Sequence, residues 1–334
     1  MVEKILFTPH RGIGDSIHSL PLIHSLRSVY PKHKIIIPIV DSQQKIASKD
    51  LKPLVGKYVL FSNKSLNNEI DSERKLLYRG VDFLNKYKVD FEKRNNFENK
   101  LYNFYLKGEE YSIAVTPRFF KIDTIKAEKQ YTLNDLKEIR GVHMVDRYLK
   151  FAEVLGIPKK ISFELGVDWK KRIENYKKEK VKLPDNYILL LLSAGRETKR
   201  WTSLGFKSVV KYCKNKRIDP VLIGSKEDYT FSKEIASEEI LNLTSPKFNL
   251  INLENFARMA KNSLAVVGSD TGLTHIADAS GAKVVGLYGP TRPSKFAPYN
   301  NKRFVVSSNG SSKKMKDLNP NEVLGNLEKI LDLI

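Results

Sequence analysis

The sequence has 334 residues, which is too long for one ordinary hydrophobic core and predicts two domains of about 150 residues each. A hydrophobic fraction of 41% is enough to fill two cores. No apolar run approaches the roughly 18 residues that a membrane-spanning helix needs. The first seven residues are too short for a signal peptide before Pro9 interrupts them, so we expect a cytoplasmic protein.

Lys and Arg outnumber Asp and Glu by 58 to 38, which gives a formal net charge of +20. Such a field attracts nucleic acid, acidic membrane surfaces and phosphorylated glycolipids, and composition alone leaves all three open. For any single lysine cluster, a solvated helix face is the simpler interpretation. Cys213 is the only cysteine of the sequence, which excludes an internal disulfide and a thiolate metal cluster, and its spacing from Phe206 predicts a core position.

The amino-terminal part begins with a strand, a glycine turn and a helix. Lys4 to Thr8 predicts the strand. The helix should carry Ile17, Leu20, Ile23 and Leu26 on one face, with Pro21 in its first turn or at a kink. Lys34 to Val40 predicts the next strand, and this βαβ beginning is typical of a doubly wound sheet.

In the middle of the chain, a polar and charged segment is followed by segments with clear strand and helix patterns. Ser62 to Gly108 is polar and charged, with aromatic residues at the spacing of amphipathic helices. Ser112 to Thr116 predicts a strand, and His143 to Leu155 predicts a helix because its apolar residues form one stripe. Asp168 to Pro184 is rich in Lys, Glu and Asn, which suits a helix or linker between two halves.

A second series of strands and helices fills the carboxyl-terminal half. We therefore predict two α/β domains in tandem, residues 1–175 and 176–334, with ligands bound where the carboxyl ends of their strands face each other. The predicted strands are Tyr187 to Leu192, Pro220 to Gly224, Leu264 to Val267 and Val284 to Tyr288, and the predicted helices lie around Phe206 to Cys213, Phe231 to Ile235, Leu253 to Ala260 and Leu318 to Ile334.

The segment from Leu264 to Thr291 carries the clearest binding signal. A short apolar run closed by Gly268 precedes the sequence Ser-Asp-Thr-Gly, which opens a helix that Gly281 should end. A strand, a polar turn and a helix start place backbone N–H groups and the positive end of a helix dipole where an anion can bind. Phosphate is the expected ligand.

The turn from Gly12 to Asp15 is a weak match to a dinucleotide-binding loop. The third glycine is absent, and the Asp15 carboxylate would repel a pyrophosphate at short range, so we exclude a dinucleotide cofactor site. Two interpretations of Asp15 remain. It could cap the following helix, or it could act as a general base that takes a proton from an acceptor hydroxyl.

Three further polar positions are candidates for binding. The stretch Ser193 to Trp201 combines small residues, which let the backbone approach a ligand, with cations that can meet diphosphate charge; for Lys199 we favour function, and for Trp201 a place in the core. Glu227 could accept hydrogen bonds from ribose hydroxyls or serve as a helix amino-terminal acid. His275 lies one turn inside a helix, where a structural role is the commoner one.

Several motifs are missing from the sequence. It contains no Asp-x-Asp pair, no Walker A loop, no His-x-x-x-His and no nucleophile elbow. We therefore expect no metal and no cofactor. A leaving diphosphate would then be stabilised by lysine and by helix N–H groups.

Four segments occur together in an order typical of one family: HRGIGDSIHSLPLIHSLRSVYP, GVHMVDRYLKFAEVLGIP, SAGRETKRW and VVGSDTGLTHIADASGAKVVGLYGPTRP. They resemble the ADP-heptose:lipopolysaccharide heptosyltransferases, glycosyltransferase family 9. The resemblance implies a GT-B fold, in which two Rossmann-like α/β/α domains with parallel sheets face each other across a central cleft. It also implies an inverting, metal-independent sugar transfer at the cytoplasmic face of the inner membrane.

The resemblance further implies roles for single residues. Asp15 matches the catalytic base, and Lys199 matches a lysine that contacts donor phosphate. We assign the acceptor to the first domain and the nucleotide-sugar donor to the second. The remaining positions are the donor residues Ser193, Ala194, Glu227, Asp270, Thr271, Gly272 and His275 and the acceptor residues His10, Arg11 and Gly14.

Three hypotheses of function follow. The first is an inverting transferase that moves a sugar, with heptose from ADP-heptose as the leading donor, onto a lipopolysaccharide core or related glycan, in association with the anionic inner-membrane surface. The second is a related enzyme with another nucleotide sugar, a protein or other glycan acceptor, or an epimerase that needs no acceptor. The third is a nucleic-acid-binding protein, but no recognisable module for that purpose accompanies the charge, so we expect no nucleic acid partner.

Overall fold

The computed structural model describes residues 4–7, 13–36, 110–116, 125–170, 182–246, 248, 252–308 and 313–333. The chain divides into two compact units, the first made of Met1–Ile139 and Asp146–Ser162, the second of Arg140–Val145 and Phe163–Ile334. The predicted boundary between residues 175 and 176 lies outside the described residues. The assignment of acceptor and donor to the two domains stays a prediction.

Within the described residues, the first unit contains a four-stranded sheet in which every pair of neighbouring strands is parallel. Its strands are β1 (Lys4–Phe7), β2 (Lys34–Ile36), β3 (Glu110–Thr116) and β4 (Lys126–Thr132), in the order β2-β1-β3-β4. The strands predicted around β1, β2 and β3 are confirmed within the described residues. The helices predicted from Ser62 to Gly108 lie outside them.

The helix predicted after β1 is present, but it is divided into two pieces. These are α1 (Ile13–His18) and α2 (Leu20–Val29), and Pro21 lies in the first turn of α2, where its missing N–H breaks no hydrogen bond. The predicted apolar face is confirmed, since the four side chains that form it are 2% exposed or less: Ile17, Leu20, Ile23 and Leu26. The helix predicted near His143 is α3 (Met144–Val154), and its residues from Asp146 onward belong to the first unit.

The described part of the second unit contains a six-stranded parallel sheet. Its strands are β5 (Tyr187–Leu191), β6 (Asp219–Ile223), β7 (Leu241–Asn242), β8 (Ala265–Ser269), β9 (Val284–Tyr288) and β10 (Val305–Ser307), in the order β10-β9-β8-β5-β6-β7. All residues of β5, β8 and β9 are buried. Continuous apolar strands of this kind are typical of a parallel sheet covered on both faces, as predicted.

The helices of the second unit follow the predicted order. Apolar residues of the helices Ser203–Asn215, Tyr229–Ile235 and Pro320–Leu331 join the sheet in one core. No helix within the described ranges combines the length and the apolarity that crossing a membrane would require. The helices are α4 (Ser203–Asn215), α5 (Tyr229–Ile235), α6 (Leu253–Asn262), α7 (Gly272–Ala279), α8 (Pro293–Phe296) and α9 (Pro320–Leu331).

Two predicted core positions are confirmed. Trp201 is 1% exposed and Cys213 is fully buried, and both belong to the core of the second unit. The Trp201 ring meets the Phe206 ring edge to face, with 5.2 Å between the centroids. Trp201, which directly follows Arg200, therefore anchors the loop after β5 to the core.

Candidate active site

The order of strands in the second unit gathers the donor candidates at one edge of the sheet. Strand β5 lies between β8 and β6, and all three run in the same direction. Ser193 follows β5, Asp270 follows β8 and Glu227 follows β6. The carboxyl ends of neighbouring parallel strands form the usual ligand-binding edge of such a sheet.

Lys199, Asp270 and His275 form a cluster of three ionisable side chains. Lys199 Nζ lies 2.7 Å from Asp270 Oδ2, and His275 Nε2 lies 3.2 Å from Asp270 Oδ1. Their side chains are 24%, 10% and 5% exposed, respectively. Burial favours the neutral acid, but hydrogen bonds and charges from His275 and Lys199 outweigh it and lower the pKa of Asp270. Lys199 is thus the most accessible member, and its position is set by a buried carboxylate.

Helix α7 begins at the Thr271-Gly272 turn. Thr271 is the N-cap residue with an extended backbone, its side chain makes no capping bond, and the first turn of α7 contains no acidic residue. The first N–H groups of a helix have no partner within the helix itself. Left without a side-chain cap, they form a suitable contact for an anion. The helix ends as predicted, since Gly281 follows its C-cap with a φ of +87°.

A second buried carboxylate, Asp228, lies in the 3-10 turn that follows β6, and the sequence pattern did not predict a role for it. Its side chain is 3% exposed. Asp228 Oδ2 accepts hydrogen bonds from Ser193 Oγ at 2.6 Å and from Ser225 N at 2.7 Å, while Arg200 Nη2 donates to Oδ1 at 2.8 Å. The Ser-x-x-Asp spacing of Ser225 and Asp228 is that of a capping box. This spacing was the sequence signal that could have predicted a structural role for Asp228.

The other donor candidates have simpler surroundings. Glu227 is exposed and lies in a single 3-10 turn, Lys226–Asp228, directly before α5, so it occupies the position of a helix amino-terminal acid. Ala194 is half-buried next to Ser193, whose hydroxyl is directed to Asp228. These positions remain predicted donor contacts.

The acceptor candidates belong to the first unit. Asp15 is half-buried and is the third residue of α1, so it lies within the first turn and not at the cap position that one interpretation gave it. Gly14 is the second residue of α1. His10 and Arg11 lie outside the described residues. The base role of Asp15 and the acceptor contacts stay predictions.

Metal sites in proteins need several His, Cys, Asp or Glu side chains close together. Within the described residues, no group of three or more His, Cys, Asp or Glu side chains is arranged to hold a metal ion. The cluster around Asp270 has one carboxylate and one histidine, with an ammonium group in place of a third ligand. Metal independence stays a prediction.

The chain is similar to known proteins of one glycosyltransferase family. The sequence profile of glycosyltransferase family 9 (heptosyltransferase) matches residues 127–325, which is more than half of the chain. The chain is 23% identical to lipooligosaccharide heptosyltransferase 2 of Haemophilus ducreyi, over 98% of this chain and 99% of that protein.

Solved structures share the fold. A family 9 glycosyltransferase from Veillonella parvula aligns with a TM-score of 0.69 at 18% identity, over 99% of this chain and 98% of that one. The E. coli heptosyltransferase WaaC, solved with ADP, aligns with a TM-score of 0.66 at 16% identity, over 98% and 99% of the two chains. The predicted two-domain α/β fold of the GT-B class is thereby confirmed, and the chain belongs to glycosyltransferase family 9 and is a glycosyltransferase.

Proposed function

We propose that the protein transfers heptose from ADP-heptose to a lipopolysaccharide core or related glycan, with inversion at the anomeric carbon and without a metal. The observation that carries this proposal is the position of Lys199 beside the turn that opens α7. Its ammonium meets Asp270, the residue directly before the N-cap Thr271. An ammonium and uncapped helix N–H groups then lie at the same sheet edge.

This arrangement supplies what a leaving diphosphate needs. In the transfer, the acceptor oxygen bonds to the anomeric carbon as the bond from that carbon to the diphosphate oxygen breaks. Negative charge grows on the leaving ADP, and donors fixed in advance stabilise such charge at little cost in reorganisation. We assign this role to Lys199 and to the backbone at Thr271 and Gly272, with Ser193, Ala194, Glu227 and His275 completing the donor site.

The proton of the attacking hydroxyl needs an acceptor of its own. We assign it to the carboxylate of Asp15, in the first turn of α1. Attack on the face opposite the diphosphate in one displacement gives inversion. His10, Arg11 and Gly14 are the proposed neighbours of the acceptor.

The names of relatives support the donor and the pathway. The Haemophilus ducreyi protein is a lipooligosaccharide heptosyltransferase, and the E. coli structure contains ADP. A net charge of +20 favours an anionic glycolipid acceptor and contact with an anionic inner-membrane surface from the cytoplasmic side. Nucleic acid is not a proposed partner.

The test begins with ligand binding. Titration calorimetry with ADP, UDP and GDP should give measurable affinity for ADP and at least tenfold weaker affinity for the other two. Tight binding of UDP or GDP alone would replace ADP-heptose by another nucleotide sugar.

The second stage measures turnover. Incubation with ADP-heptose and heptose-deficient lipopolysaccharide core, in the presence of a chelator, should release ADP and give a product whose anomeric configuration is opposite to that of the donor. Retained configuration or loss of turnover with chelator contradicts the mechanism. Conversion of the donor without any acceptor would instead indicate an epimerase.

A further inference from the structure

The loop after β5 carries two neighbouring cations, Lys199 and Arg200, that pair with acids on opposite sides of β5. Lys199 pairs with Asp270, which follows β8, while Arg200 pairs with Asp228, which follows β6. Because β5 lies between β8 and β6, the two ion pairs fasten this loop to the strands on either side. The position of Lys199 is therefore coupled through the backbone to that of Arg200.

Asp228 holds both ends of this loop. Ser193, the second residue after β5, donates its hydroxyl to Oδ2, and Arg200, seven residues later, donates to Oδ1. Ser225 adds a backbone and a hydroxyl donor at 2.7 and 2.8 Å. A carboxylate that is 3% exposed is costly unless it is paired in this way. Loss of its charge would weaken the contacts to both ends of this loop and to the turn at Ser225.

The surroundings leave the pair little freedom. A Cβ atom on Gly224 would lie 2.9 Å from Asp228 Oδ2, so a glycine is needed for the carboxylate to approach the end of β6. The Arg200 guanidinium lies 5.1 Å from the centroid of the Phe231 ring and is 19% exposed as a side chain. Arg200 Nη1 also lies 3.2 Å from Oε2 of the exposed Glu197, so Asp228 is its buried acidic partner.

We propose that Asp228 is a positioning residue of the donor site, which acts through Ser193 and Arg200 to place Lys199 for the diphosphate. This inference rests on the proposed function, in which Lys199 contacts the donor phosphates. A displacement of about 1 Å in such a contact is enough to weaken catalysis strongly. Asp228 itself need not touch the donor.

The test separates placement of Lys199 from a general loss of structure. ADP and adenosine are titrated against the wild type and against Asp228→Asn, Lys199→Ala and the double variant. We expect Asp228→Asn to weaken ADP at least tenfold and adenosine less than twofold, because only ADP uses Lys199. The double variant should bind ADP within about threefold of Lys199→Ala, since the two changes remove the same contact.

Two results would overturn the inference. One is an equal loss of ADP and adenosine affinity in Asp228→Asn. The other is a double variant whose losses multiply. If the wild type binds no ADP, the proposed function fails and the inference fails with it; if it binds ADP and the losses multiply, only the inference fails.

A second variant and a control complete the design. If Asp228→Asn does not fold, Arg200→Gln makes the same test from the other side and should weaken ADP at least threefold with adenosine unchanged; an unchanged ADP affinity would refute the role. Arg258→Gln is the matched control, because Arg258 is an arginine of the same unit that is paired with an acid, Glu254. It should lower the melting temperature and leave the ratio of ADP to adenosine affinity unchanged.

Discussion

Lys199 Nζ lies 2.7 Å from Asp270 Oδ2, and this contact joins the loop after β5 to the turn after β8. The other oxygen of the same carboxylate meets His275 Nε2 at 3.2 Å. One buried acid thus fixes a cation from a loop and a histidine from a helix. Because the hydrogen bonds and charges from His275 and Lys199 outweigh the cost of burial, the pKa of Asp270 is lowered and its ionised form is favoured.

The lowered pKa of Asp270 predicts a pH-dependent contribution to stability. The unfolded pKa is about 3.9, so ionised Asp270 stabilises the fold above about pH 4, and this contribution is lost as the pH falls through the lower, folded pKa. Asp270→Asn should cost about 1 to 3 kcal/mol near pH 7. Melting curves should show the difference from the wild type shrinking as the pH falls below the unfolded pKa and through the lower, folded pKa. A difference independent of pH would contradict this prediction.

Asp15→Asn should remove the general base. We expect turnover to fall by about 10² to 10⁴ while ADP affinity stays within about twofold, since the donor contacts are assigned to the second unit. Asp135→Asn is a suitable control in the first unit, because Asp135 accepts a hydrogen bond from the backbone N–H of Thr132 at 2.6 Å. The control should lower stability and leave turnover of the folded enzyme unchanged. Normal turnover in Asp15→Asn would end the proposed role.

Two glycines in helices of the second unit should respond in opposite directions to alanine. A Cβ atom on Gly205 would lie 2.3 Å from the Trp201 ring, whereas one on Gly325 would have no heavy atom within 4 Å. Gly205→Ala should therefore destabilise the protein by about 1 to 3 kcal/mol. Gly325→Ala should stabilise α9 by about 0.5 to 1 kcal/mol. Chemical denaturation measures both, and equal effects would contradict the packing around Trp201.

The thiol of Cys213 should be unreactive in the native protein. Burial raises its pKa to about 12, and the side chain is fully buried in α4. A thiol-specific reagent at pH 8 should label it only through opening of the structure, at a rate that rises with denaturant. Cys213 is the only cysteine of the sequence, so the signal has one source. Rapid labelling without denaturant would be inconsistent with this core.

The sequence predicted most of the second unit because its strands are apolar and bounded by glycine or polar turns. Val284 to Tyr288 was predicted to the residue, and the burial of Trp201 followed from its position after a basic loop. In the first unit, β4 was missed. Its sequence, KAEKQYT, has no apolar alternation. Among the described strands of this sheet β4 is the last in order, and it carries charged residues of the kind that protect an edge.

The partners of the candidate site could not be predicted from the sequence. Lys199 and Asp270 are 71 positions apart, and Ser193 and Asp228 are 35 apart. Each pair meets only because β8, β5 and β6 are adjacent in the sheet, and the strand order was not part of the sequence pattern. Family resemblance assigned roles to single residues but gave no indication that Asp228 holds Ser193 and Arg200.

The burial of Trp201 provides the protein with its own optical reporter. The indole is almost completely shielded from solvent, and Trp201 directly follows Arg200 in the chain. The second tryptophan, Trp169, is 37% exposed. With Trp169 replaced by phenylalanine, all indole emission would arise from Trp201, at the end of the loop after β5. Movement of that loop as a nucleotide arrives could then be followed in real time by a change in fluorescence, without any attached dye.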